Sequence, residues 1–225
     1  MEHIKKRINK TREMFNKHGL NGYDITSSYK KLQLLKNLYK DKDAIIVTCG
    51  PSFEKYKDDV WKLIDENTIL ICVKQTLHKF PLADFHLRNF LNDKNRYSNT
   101  RWTYNKKSEK RPIILHTVRK KNQMCKQGDI HFQFYKENKR KILHDVINDY
   151  DSMSFKDENI NGGKMELNAG HIMCDSTIPL CIQLGVKNIY VVGWDGGNGY
   201  CYEKGKKKKF TKWMHEDIIE CNKRS

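Results

Sequence analysis

The stretch Asn168–Gly199, NAGHIMCDSTIPLCIQLGVKNIYVVGWDGGNG, decides the fold. Asn168-Ala169-Gly170 supplies a turn and a candidate N-cap. Met173, Ile178, Leu180, Cys181 and Leu184 give the following helix an apolar character, and Gly185 stands where a left-handed C-terminal cap belongs. Ile189–Val192 is a continuous β-branched and aromatic run, the pattern of a strand covered on both faces of a parallel sheet. Gly193-Trp194-Asp195-Gly196-Gly197 then lies at the strand's carboxyl end, where open α/β sheets gather their ligands. This is half of a site, and the other half belongs near the start of the sheet.

That start is legible at Asp43, where Ala44–Thr48 reads as a buried strand running into Cys49-Gly50-Pro51-Ser52. Glycine allows a tight turn and a close ligand approach, Pro51 stiffens it, and Ser52 is placed to cap a helix starting at about Phe53. A strand, a small-residue turn and a helix N-terminus together form a phosphate site from backbone N–H groups and the helix dipole; an ordinary βα turn has the same residues. The turn is neither a Walker A loop nor a GxGxxG fingerprint.

Thr68–Val73 is the second strand, with Lys74 and Gln75 at its carboxyl end. Ala83–Leu87 is a third, ending at Arg88-Asn89. Polar residues therefore recur at successive strand ends, as in a nucleotide crevice, and Asn or Gln offers a base or ribose both donor and acceptor. Further strands are expected at 112–116 and 130–134, a short helix at 137–148, an irregular stretch at 149–164 and a last helix around 211–220. Ile4, Ile8 and Phe15, then Leu32, Leu35, Leu38 and Tyr39, mark two N-terminal helices. The expected architecture is α/β: a Rossmann-like, doubly wound, mostly parallel sheet over residues 41–225, with a helical hairpin over 1–40 packed on the edge of that core.

Composition narrows the class. A chain of 225 residues is long enough for a real core, and no apolar run approaches the roughly 20 residues of a membrane span. MEHIKKRINK is polar where a signal peptide needs its apolar centre, so a cytoplasmic protein is expected, with at most peripheral contact to an anionic membrane. Seven cysteines without a CxxC pair point to core packing rather than to a zinc site or a disulfide framework. The net charge of +16, densest at Lys204–Lys209, favours phosphate-bearing partners; it also fits a lysine-rich solvated surface. The lysines lack interleaved Arg and aromatic residues, which argues against a nucleic-acid stacking surface.

The strand followed by Gly50-Pro51-Ser52, with the later small-residue turn, helix and LGxKxIYxxGxD pattern, resembles bacterial CMP-sialic-acid-dependent sialyltransferases. It equally resembles the superfamily related to archaeal 6-hydroxymethylpterin pyrophosphokinase. The matched segments are Ala44–Asn89, loosely, and Asn168–Tyr202, closely. The resemblance implies an inverting, metal-independent glycosyltransferase using a nucleotide-sugar donor, CMP-linked, on a glycan or lipid-linked acceptor. It carries Gly50, Pro51 and Ser52 to the donor phosphate, Asn168, Ala169 and Gly170 to the cytidine, and Gly193 and Asp195 to the GxD segment. Asn89 matches an asparagine after the third strand; Lys74 or Gln75 stands where the family has another.

By the same resemblance His215 is the acceptor-deprotonating base, at a spacing shorter than the family's, and Lys74 or Tyr202 steadies the leaving phosphate. Taken without the resemblance, His215 reads as a surface residue of a helix and Asp195 as a strand-end cap. The alternative family implies a pyrophosphokinase using Mg²⁺ held by Asp195 and Asp84. A basic nucleic-acid-binding module is the non-enzymatic alternative.

Overall fold

The computed structural model describes residues 2–22, 25–78, 80, 82–89, 111–118, 129–133, 154–156, 164–166 and 176–194. Its helices are α1 (Glu2–Lys17), α2 (Ile25–Leu34), α3 (Ser52–Leu63) and α4 (Ile178–Leu184). Its strands are β1 (Asp43–Val47), β2 (Thr68–Val73), β3 (Phe85–Asn89), β4 (Ile113–Val118), β5 (Ile130–Gln133), β6 (Ser154–Lys156), β7 (Lys164–Glu166) and β8 (Ile189–Val192). Six strands form one sheet in the order β5-β4-β3-β2-β1-β8, and every pairing in it is parallel. The chain thus lays down β1 to β5 in one direction and returns to place β8 on the other flank of β1. This is the α/β, Rossmann-like architecture with a strand-order reversal between β1 and β8.

Two-residue alternation divides the side chains of the sheet between two layers. Ile46, Ile71, Phe85, Leu87, Leu115 and Ile130 face one way, into a core closed by Ile4, Ile8 and Phe15 of α1, Leu32 of α2 and Leu180 and Leu184 of α4. Ile45, Val47, Leu70 and Cys72 face the other way, against Phe53 and Val60 of α3. The N-terminal hairpin therefore shares the core on one face of the sheet, and α2 also meets the outer strand β5, where Ser28 Oγ accepts the His131 N–H at 2.9 Å.

Polar bonds pin that hairpin. Arg7 of α1 forms a 2.7 Å ion pair with Asp84, whose carboxylate also accepts the Leu70 N–H at 2.9 Å. Arg12 donates to the Arg111 and Pro112 carbonyls at the entry to β4. Thr11 and Tyr39 share a buried 3.1 Å hydroxyl–hydroxyl bond.

Gly185 ends α4 in the left-handed conformation, at φ 75°. Its N–H bonds to Ile182 O, and the Val186 N–H reaches Cys181 O, the crossed pair of a Schellman cap. The Asn37 and Tyr39 amides donate to Gln183 O and Leu184 O, so the helix's last carbonyls are satisfied by the turn after α2.

Three local expectations are corrected. β8 is half-buried rather than covered on both faces, with Tyr190 52% exposed, because an apolar run does not distinguish a central strand from an outer one. The stretch expected to be irregular contains β6 and ends on the first residue of β7, and the two strands pair antiparallel as a separate ribbon. Ser52 is the first residue of α3 and makes no side-chain cap; Pro51, at φ −57°, occupies the cap position. The helices expected at 137–148 and 211–220 lie outside the described residues. No helix among the described residues is long and apolar enough to cross a membrane.

Candidate functional site

The reversal between β1 and β8 puts their carboxyl ends side by side, with Val47 in register with Val192. The Thr48 N–H continues the ladder to Val192 O at 2.8 Å. Beyond it the two loops are tied through Gly193. Its carbonyl accepts the Thr48 hydroxyl and the Gly50 N–H, and its own N–H donates to Ser52 Oγ at 3.1 Å. Gly193 has φ 82°, and a Cβ there would lie 2.3 Å from Thr48 O and 3.1 Å from Phe53 Cβ. Only glycine lets these two backbones meet so closely.

This corner redistributes the roles of the Gly50-Pro51-Ser52 turn. The Gly50 N–H is engaged by Gly193 O, while the Phe53 and Glu54 amides bond to Gly50 O and Pro51 O. The first backbone donors of α3 are thus turned inward. What the turn offers a ligand is the positive end of the helix dipole beside exposed Pro51, on a backbone locked to the opposite loop.

Next along the carboxyl edge is the end of β2. Lys74 is half-buried and holds a left-handed backbone, at φ 57°, uncommon for a residue with a side chain. Its carbonyl accepts the Nε2–H of His86 at 2.8 Å, which assigns that ring nitrogen its proton. Gln75 follows in the 3₁₀ turn Lys74–His78. In that turn the Thr76 hydroxyl accepts the Val73 N–H and lies 3.1 Å from Val47 O, bracing the ends of β1 and β2. Asn89 closes β3, in register with Thr117.

Gly50, Pro51, Ser52 and Gly193 therefore converge on one corner, and Lys74, Gln75 and Asn89 extend along the same edge. Asp195, His215, Asn168, Ala169, Gly170 and Tyr202 lie outside the described residues. Asp84, expected to share a Mg²⁺ with Asp195, precedes β3 and sits at the amino edge of the sheet, opposite the Gly193 corner. Its oxygens accept hydrogen bonds from Arg7 and from the Leu70 N–H.

Sequence reasoning missed a second polar feature, which crosses β3, β4 and β5. Arg88 pairs in register with His116, and His116 with His131, so the three stand side by side on β3, β4 and β5. They are 3%, 5% and 0% exposed, and fully buried His86 lies two residues before Arg88 on the same face. Burial, reinforced by Arg88, His131 and His86, holds the His116 imidazole down at about 3. A signal was present, in that each of these residues interrupts an otherwise apolar strand. Their lateral alignment depends on register, which local sequence does not carry.

No protein-family model, curated protein or solved structure matches the chain.

Proposed function

We propose that the protein is a glycosyltransferase of the nucleotide-sugar type, sialyltransferase-like, with its donor seated at the β1–β8 corner. The observation that carries this reading is the hydrogen-bonded union of Gly50 and Ser52 with Gly193 at the strand-order reversal. A reversal opens a crevice at the carboxyl ends of a parallel sheet, the usual seat of a nucleotide in such folds. The two segments that carry the sialyltransferase resemblance are the same two that meet there.

In this reading the CMP moiety of the donor lies across the corner, with Asn168, Ala169 and Gly170 toward the cytidine. Gly193 sets the backbone path and Asp195 shapes the loop that follows. The leaving phosphate is stabilised by the α3 dipole, Lys74 and Tyr202, because the Gly50, Phe53 and Glu54 amides are engaged internally. His215 removes the proton of the acceptor hydroxyl as the anomeric carbon–phosphate oxygen bond breaks and the new glycosidic bond forms. No metal is required by this scheme, and the acceptor is a glycan or a lipid-linked glycan at the face of an anionic membrane.

The direct test is release of CMP from CMP-sialic acid in the presence of a chelator, with and without added glycan acceptors. Turnover that persists in chelator and disappears in His215→Ala supports the proposal. A protein stabilised by ATP with Mg²⁺ and indifferent to CMP contradicts it.

A further inference from the structure

Among the described residues the exposed large apolar side chains are Tyr56 at 42%, Leu63 at 61% and Tyr190 at 52%. All three lie on one flank of the molecule. Tyr190 of β8 is in register with Ile45, which packs beneath α3, so its ring projects from the α3 face of the sheet. On α3, Phe53 and Val60 point down onto that same face. Trp61 leans to one side, onto Phe80 beyond β2, with ring centroids 4.5 Å apart. At about 100° per residue, Tyr56 and Leu63 stand on the opposite side of the helix, toward β8. The three side chains therefore line one groove, with β8 as its floor and α3 as its wall.

The other face of β8 is covered, since Ile189 and Val191 pack against the core that α1, α2 and α4 share. Parallel sheets are built with both faces covered, and consecutive elements of a chain are usually neighbours in space. Beyond Trp194, at the carboxyl end of β8, the chain runs on from Asp195 to Ser225. Within that stretch Phe210, Met214, Ile218 and Cys221 recur at helical spacing, flanked by Trp213. Asp217 shares their face, and exposed Lys55, whose ammonium lies 4.8 Å from the Tyr56 ring centroid, stands at the groove as its counter-charge. A helix over 210–221 would be about 18 Å long, enough to cover the roughly 13 Å of a strand the length of β8. Residues 195–209 give the connection ample reach.

We propose that the groove between α3 and β8 is the docking site of the chain's own segment 210–221, with Trp213 and Ile218 seated against Tyr190 and Leu63. The segment completes the second face of the sheet at its outer strand and removes the exposed apolar flank from water. The inference goes beyond the glycosyltransferase reading and does not depend on it. A second copy of the chain is the competing occupant, and stoichiometry separates the two.

The experiment is nuclear Overhauser spectroscopy on the folded full-length chain with labelled methyl and aromatic groups, paired with amide hydrogen exchange. Contacts from the Trp213 ring to Tyr190 and Leu63 are expected, unchanged on dilution and absent between differently labelled copies in a mixed sample. Leu63→Asp puts a charge at an exposed position, so the core need not repack. It should lower the exchange protection of the 213–221 amides by about tenfold or more, and Tyr190→Asp should do the same. Should an aspartate variant not fold, the serine variant at that position is read instead, with the same direction expected. No contact from Trp213 to either side chain, or unchanged protection in the folded variants, would overturn the proposal. Contacts found only between differently labelled copies would do the same, and would assign the groove to a dimer.

Discussion

The Gly193 N–H donates to Ser52 Oγ across 3.1 Å, joining residues 141 positions apart, while the Gly50 N–H returns a 2.7 Å bond to Gly193 O. The loops after β1 and β8 are thus one hydrogen-bonded unit. A hydroxyl that the sequence offers as a helix cap serves as an inter-loop staple, which preorganises the corner at the level of its backbone.

Ser52→Ala removes the acceptor of that bond and should cost about 1 kcal/mol, the usual net value of one hydrogen bond. Gly193→Ala should cost more, about 2–3 kcal/mol, because it combines positive-φ strain with backbone overlap at Thr48. Urea denaturation of both variants checks the ranking; equal stabilities would show that the loops can separate without penalty.

At the opposite end of the sheet, the Arg7–Asp84 pair carries the docking of α1. Burial pushes the Asp84 carboxyl up, and Arg7, with the Leu70 N–H, pulls it back down. Removing one member of such a pair leaves the other buried and uncompensated, so Arg7→Met should destabilise by about 3–5 kcal/mol. Arg7→Met combined with Asp84→Leu should recover part of that loss, and a double-mutant cycle on chemical-denaturation data gives the coupling. A coupling near zero would place α1's anchoring elsewhere.

His116 gives a pH dependence whose sign is determined. Its imidazole sits at about 3 in the fold, against an ordinary value of 6.5. Between these values the unfolded chain binds a proton that the folded chain does not, so stability is full above about pH 6.5 and falls as the pH drops toward 3. The slope from this one group is at most about 1.4 kcal/mol per pH unit. His116→Gln should flatten the profile across that window in thermal melts; an unchanged slope would mean that other groups carry the acid sensitivity.

Much of this fold is legible in the chain because β1 and β2 are almost continuous apolar runs, and polar residues stand at the ends of β2 and β3. The Gly185 cap is equally readable, since a glycine after an apolar helix and before a strand has few other uses. What stays illegible is what depends on partners far along the chain. Arg7 and Asp84 are 77 residues apart, and nothing near either names the other. The Arg88–His116–His131 row exists only through the register of three strands. β6 and β7 escape notice because three residues are too few to show a period. The corner itself is half legible: Gly50, Ser52 and Gly193 stand out as turn residues at strand ends, but which of their atoms bond to each other is a property of the folded backbone.

The central claim, a nucleotide seated at the β1–β8 corner, is tested most directly by mapping backbone amide shifts while CMP is titrated into the full-length protein. The account predicts saturable shifts concentrated at Cys49, Gly50, Ser52, Gly193 and Trp194, extending to Lys74 and Gln75, and lost in Gly193→Ala that remains folded. Saturable shifts that leave these amides still, or no binding of CMP to a folded protein, would contradict it.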